Sequence, residues 1–182
     1  MRVFWKKGFE GASLPDLTKA MGINRPSMYA AFGNKAELFK KAMDRYTGPE
    51  GPGTYFAEAL AKPTARAVTE ALFYGAVEVL SKPGNPKGCL VVQGALACGD
   101  GAECARKDLV ARRLEADARL RERFERAKKE GDLSRDSSAA DLARFVTTLV
   151  HGMAVATTSG ATREELRRVA DVGMRGWLSA SA

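Results

Sequence analysis

Residues 13–33 hold two short helical runs, each framed by its own start and stop signals, and they leave this part of the chain little choice of local fold. In the first, Ser13 is a good N-cap, Pro15 and Asp16 lie in the opening turn, and Leu14, Leu17 and Met21 follow at helical spacing until Gly22 stops the run. In the second, the cap lies at Asn24 or Arg25. Pro26 occupies the opening turn, where a missing N–H costs little, and Gly33 ends the run. Met28 and Phe32 are four apart and face inward, which turns Tyr29 to the side. Helix, glycine-containing turn, helix over about residues 13–32 is a helix-turn-helix.

The flanks read as helix as well. "RVFWKKGFEG" looks like the last turns of a helix ending near Gly8, and Asn34 can cap an amphipathic helix over "KAELFKKAMDRY". Trp5, Phe9, Leu17 and Phe32 read as the core of this N-terminal group. "TGPEGPG", Thr47 to Gly53, is the clearest linker, which divides the chain into domains at 1–46 and 54–182.

Helical patterns continue beyond the linker: a short piece near 54–61, a longer one near 64–81, then a loop "KPGNPKG" before the apolar "CLVVQGALACG". A highly charged helix spans Glu103 to Glu130 with Leu109, Leu114, Leu120 and Phe124 as its apolar points. The rest of its surface around Arg112–Arg126 reads as a solvated face laced with i,i+4 ion pairs. Two apolar helices close the chain, about Ala139–Thr158 and Thr162–Leu178. Alternating Val, Ile and Thr of the strand type is absent, so the fold class is all-α.

Charge singles out the N-terminal group. The net charge is +7, and residues 1–47 hold nine Lys or Arg against four acids, most of that excess in the first quarter of the chain. Such a surplus favours an anionic partner. In a helix-turn-helix the second helix lies in the major groove with its N-terminal residues toward the bases. Arg25 stands where a guanidinium reaches a guanine edge or a phosphate, and Ser27 a base or a phosphate. Tyr29 can give its hydroxyl to a phosphate. Ser13 and Lys35 lie at the N-termini of flanking helices, where free N–H groups favour phosphate. With Asn24 and Pro26 at the helix start, these seven residues form the expected DNA-binding set.

No nucleophile–base pair, phosphate-cradling glycine loop or metal-ligand spacing is present, so neither an enzyme nor a cofactor is expected. No apolar run approaches the roughly eighteen residues of a membrane span. Cys89, Cys98 and Cys104 form no C-x-x-C pair and fit a reducing cytoplasm. They read as small apolar residues. The alternative is a thiol sensor, with Lys87 and a helix start beside Cys89, or a loop that lets Cys98 meet Cys104. His151, the single histidine, lies in an apolar helix and reads as a core or pocket residue.

"GFEGASLPDLTKAMGINRPSMYAAFGNKAELF" resembles the DNA-binding domain of the TetR/AcrR family of bacterial transcriptional repressors. The resemblance rests on Gly8-Phe9, the Ser13 cap, the run of Met28, Tyr29, Phe32 and Lys35, and Leu38. It implies a three-helix DNA-binding domain, a helical ligand-binding and dimerisation domain, and a homodimer that leaves a palindromic operator when a small molecule binds. Family members carry two or three further helical turns before the segment matching Arg2–Phe9, and here only Met1 precedes it. Either the sequence begins inside the first helix or the chain starts short, and a truncated first helix would lose core contacts and leave the DNA-binding domain mobile. "PKGCLVVQGALA" and the charged helix after it are similar to one common subgroup.

On that basis Tyr55, Phe56, Phe73, Tyr74, Cys89, Val92, Gln93, Leu96 and His151 are the expected wall of a cavity for a hydrophobic effector. In the family the last two helices pair with their mates across the dimer. Phe145, Leu149, Leu166, Val169, Gly173 and Trp177 are the residues expected there.

Overall fold

The computed structural model describes residues 1–94 and 102–181. Among the described residues every regular element is a helix: α1 (Arg2–Gly11), α2 (Leu14–Met21), α3 (Arg25–Phe32), α4 (Lys35–Thr47), α5 (Thr54–Leu60), α6 (Ala65–Ser81), α7 (Leu90–Gln93), α8 (Glu103–Glu130), α9 (Ala139–Thr158) and α10 (Arg163–Ser181). The long elements begin and end within a few residues of the positions that capping and periodicity predict. Side chains start most of them: Ser13 before α2, Asn24 before α3, Asn34 before α4, Thr64 before α6 and Ser138 before α9.

The first helix departs from expectation. It bends at Gly8, whose φ of 69° and ψ of −177° lie outside the helical region, but resumes and runs to Gly11. The bend brings Phe9 into the core, where its ring meets Phe39 at 5.2 Å while Phe4 meets the same ring edge-on at 5.0 Å. Trp5 stands edge-on to Tyr46 at 4.9 Å. Leu17 and Met28 complete this core from α2 and α3, whereas Phe32 is only half-buried at its edge. Expected core residues Trp5, Phe9 and Leu17 are therefore buried as read, and Phe32 only partly.

This first core does not stop at the linker. Leu90 of α7 and Ala105 and Leu109 of α8 belong to it, so α1–α4 are seated on the start of the following helices. A second core forms around α6, whose Leu72, Phe73, Ala76 and Val77 are enclosed by α8, α9 and α10. Leu109 thus serves the first core and Leu120 and Phe124 the second, all three fully buried. Leu114, expected as a fourth apolar point, is 58% exposed. It lies five residues past Leu109, which carries it about 140° round the helix and off both cores.

Candidate nucleic-acid interface and cavity

The α2–α3 turn is held by its ends. Gly22 closes α2 in the left-handed region at φ 67°, which a residue with a Cβ adopts only at a cost, and its N–H donates to carbonyls of the last turn. Asn24 then opens α3, its Oδ1 accepting the Ser27 N–H at 2.9 Å. Only Met28 of α3 is buried. Arg25, Pro26, Ser27, Ala30 and Ala31 are exposed, and Tyr29 is 46% exposed, pointing away from the core as its spacing predicts. Small side chains beside a single Arg and Tyr give a helix whose backbone can sit close to another surface.

Ser13 is more committed than a free phosphate donor. Its Oγ accepts the Asp16 N–H at 3.2 Å and donates to Asp16 Oδ2 at 2.6 Å, while its own N–H donates to the same oxygen at 3.1 Å. Lys7 lies 2.8 Å from that carboxylate. The Lys7 ammonium, then the Ser13 bonds, hold the Asp16 carboxyl down at about 2.

Lys35 is not free either. Its Nζ donates to the Glu10 carbonyl at 3.4 Å and sits 4.7 Å from the centre of the Phe9 ring. Partial burial lowers its pKa. An ammonium has three donors, and this contact uses one.

A cavity of about 270 Å³ lies where α4 meets the second core. Tyr55, Phe56, Cys89, Val92 and His151 line it, as expected. Three expected residues do not. Phe73 is buried in the core against the Phe145 ring at 6.4 Å. Tyr74 turns to α10, donating its hydroxyl to Asp171 at 2.7 Å, a bond that raises its pKa. Gln93 faces a groove between α1 and the α6–α7 loop. Leu96 lies outside the described residues.

The cavity also holds residues that sequence reasoning missed: Tyr46 and Thr47 from α4, Arg112, Glu115 and Arg119 from α8, and Thr147 from α9. Arg112 corrects the reading of α8 as a plain solvated face. Its side chain is only 18% exposed, with Nε on Asp108 at 2.9 Å and Nη2 on Asp44 of α4 at 2.5 Å. The i,i+4 spacing of Asp108 and Arg112 was visible, but the reach to α4 carries no local signal. Arg123 departs in the same way: it is 5% exposed and donates to the Lys62 and Pro63 carbonyls at 2.9 Å each.

At one end of the cavity the Tyr46 hydroxyl donates to Cys89 Sγ at 3.4 Å. Burial pushes the pKa values of Tyr46 and Tyr55 up, and the neighbouring Cys89 adds to both. Burial lowers that of His151, with Arg113 and Arg144 acting in the same direction against Asp117. Cys104 is exposed, and Cys98 lies outside the described residues, so a meeting of the two does too.

On the last two helices Phe145 and Val169 are 38% and 39% exposed, and Leu149 is half-buried. Leu166, Gly173 and Trp177, expected at an interface, instead face inward. A Cβ on Gly173 would stand 2.2 Å from Leu149 Cδ2 and 3.0 Å from Phe73 Cε2, so this glycine lets α10 close on α6 and α9. Val172 on α10 and Val155 on α9 are exposed too, at 58% and 44%.

A helix-turn-helix with a bare second helix, mounted on an all-helical body, defines a DNA-binding transcriptional regulator. Residues 1–42 match the family model "Bacterial regulatory proteins, tetR family", and residues 67–172 match "Tetracyclin repressor-like, C-terminal domain". The chain belongs to the TetR family, whose members are DNA-binding regulators and not enzymes.

Among solved structures it is similar to a cysteine mutant of the TetR family regulator CifR complexed with 26-bp double-strand operator DNA. The two are 39% identical with a TM-score of 0.91, over 97% of this chain and 92% of that one. A TetR regulator from Rhodococcus sp. RHA1 is 40% identical with a TM-score of 0.68, over 100% and 96% of the two chains. The transcriptional repressor ComR of Escherichia coli (strain K12) is 26% identical over 97% of this chain and 84% of its own. No helix among the described residues is long and apolar enough to cross a membrane, and none of their His, Cys, Asp and Glu side chains form a metal-binding group of three.

Proposed function

We propose that the protein is a homodimeric, cytoplasmic repressor whose hold on a palindromic operator is relaxed when a small, mostly apolar molecule fills the cavity. One observation carries this reading: the cavity shares its wall with α4, through Tyr46, Thr47 and the Arg112–Asp44 ion pair. A molecule in the cavity therefore touches the same helix that carries α2 and α3. It shifts the position of the recognition helices by as much as its affinities for the two arrangements differ. The names of CifR and ComR, one complexed with operator DNA and the other a repressor, support the same reading.

In this account residues 1–46 act as the DNA-binding domain and 54–182 as the effector and dimerisation domain. Arg25 reads a base edge, and Ser27, Tyr29 and Lys35 hold phosphates. Ser13 and Asn24 serve through the helix starts they cap, and Pro26 fixes the first turn of α3. Phe145, Leu149, Val169 and Val172 form the face that meets a second copy, which sets the recognition helices about 34–36 Å apart. Footprinting on DNA flanking the protein's own gene tests this: two protected half-sites one helical turn apart are expected, and protection of one half-site or none contradicts it.

A second reading has an observation of its own. Cys89 lines the cavity with a hydroxyl donated to its sulfur, so a thiol-reactive molecule entering there would act on α4 through Tyr46. Alkylation of the full-length protein with iodoacetamide, compared with Cys89→Ser, separates the two readings. Release of operator DNA by the wild type alone supports thiol gating, and no release leaves reversible binding.

A further inference from the structure

The cavity is small for a drug-sized ligand, whose pockets run from about 300 to 1,000 Å³. Most of its polar groups are already committed. Tyr46 donates to Cys89, Thr147 donates to Asp117 at 3.0 Å, and Arg112 is neutralised by Asp44 and Asp108. Arg119 and Glu115 are exposed, with the Arg119 guanidinium 6.0 Å from the Phe56 ring centre.

Tyr55 differs from these. No group among the described residues accepts its hydroxyl proton, and it lines the cavity beside the Tyr46–Cys89 pair. Its ring is seated on Gly75 of α6, where a Cβ would stand only 2.8 Å from Tyr55 Cδ2. The glycine thereby fixes the ring against the helix. Burial raises its pKa, so the phenol keeps its proton and acts as a donor. His151 also lines the cavity without a described hydrogen bond, but it lies among Arg113, Asp117 and Arg144.

We propose that Tyr55 is the recognition donor of this cavity, and that the effector is a compact, uncharged, largely apolar molecule bearing one hydrogen-bond acceptor. This rests on the reading of the cavity as the effector site. Among the described lining residues an anion finds the more buried guanidinium, Arg112, already paired, and a cation finds the carboxylate, Glu115, out in solvent. A molecule with an apolar body and a carbonyl or ether oxygen suits the walls and accepts from the Tyr55 hydroxyl.

Calorimetric titration of the full-length protein with acetophenone, ethylbenzene and benzoate tests the proposal. The three probes share a ring and differ in carrying a neutral acceptor, no acceptor, or a charge. Wild type should bind acetophenone about two- to tenfold more tightly than ethylbenzene, the worth of one net hydrogen bond, with benzoate weakest. Tyr55→Phe should erase that preference while leaving ethylbenzene unchanged, and the retained ethylbenzene binding shows that the variant is folded.

Equal affinity for acetophenone and ethylbenzene in wild type overturns the proposal without recourse to any variant. So do a preference that survives in Tyr55→Phe, tighter binding of benzoate, and no binding of any probe up to about 10 mM, where ligands of this size register. Operator binding by the probe-free wild type is scored separately. Its failure strikes the repressor reading, while failure of the probes alone strikes only Tyr55.

Discussion

The Tyr46 hydroxyl donates to the Cys89 sulfur at 3.4 Å, joining α4 to the residue that opens α7. The adjoining Gly88 accepts the Trp5 indole N–H at 2.9 Å and donates its own N–H to Thr157 Oγ1 at 2.9 Å. Two consecutive residues thus tie together α1, α4 and α9, the first two carrying the DNA-binding helices and the third a face proposed for the dimer.

Removing that hydroxyl tests the junction. Tyr46→Phe keeps the ring that packs on Trp5 and loses only the hydrogen bond to the Cys89 sulfur. Alkylation of Cys89 by iodoacetamide, followed peptide by peptide by mass spectrometry, should slow about two- to tenfold. An unchanged rate would mean that the hydroxyl does not act on the thiol.

The DNA contacts separate by sequence dependence. Arg25→Ala should cost about 1–3 kcal/mol on the operator and less on random DNA, because a base contact is lost. Tyr29→Phe and Lys35→Ala should weaken both DNAs alike, and Lys35→Ala should lower the salt slope by about one. Equal losses for Arg25→Ala on both DNAs would assign it to phosphate.

How far these assignments were legible differs by element. The α2–α3 unit could be read because caps, prolines and Gly22 are local signals, and the exposure of Tyr29 follows from its spacing to Met28. The cavity was half legible. Tyr55 and His151 sit on helices and Cys89 at the start of an apolar one, but α6 is enclosed by several neighbours, so its period gave no direction. Phe73 and Tyr74, adjacent in sequence, go to different places for that reason. Arg112 was hidden because a charged residue in a charged helix looks solvated, and its partner Asp44 lies 68 residues away.

The same ambiguity affects α10. Its apolar stripe is broad enough to cover both its own α6 and a second molecule, and only exposure tells Val172 from Trp177. Val172→Asp should therefore leave helicity and the thermal transition of the monomer intact while light scattering reports half the wild-type mass. A dimer that survives the substitution would place the interface elsewhere.

His151, the single histidine, gives a pH signature free of overlap with any other imidazole. Burial lowers its folded pKa below the usual value of about 6.5, so the unfolded chain takes up the proton first. Stability is then full above about pH 6.5 and falls as pH drops toward the folded pKa, by at most about 1.4 kcal/mol per unit. Denaturant titrations of wild type and His151→Gln should run parallel above about pH 7 and separate below it, the wild type losing more. Parallel curves throughout would show that the imidazole charges as readily folded as unfolded.

Fluorescence anisotropy with DNA flanking the protein's own gene, against random DNA of equal length at two salt concentrations, tests whether α3 reads sequence. One segment should bind at least about a thousandfold more tightly than random sequence, with affinity falling steeply as salt rises. Equal binding to both DNAs, or none to either, would contradict the assignment of α3 as a sequence-reading helix.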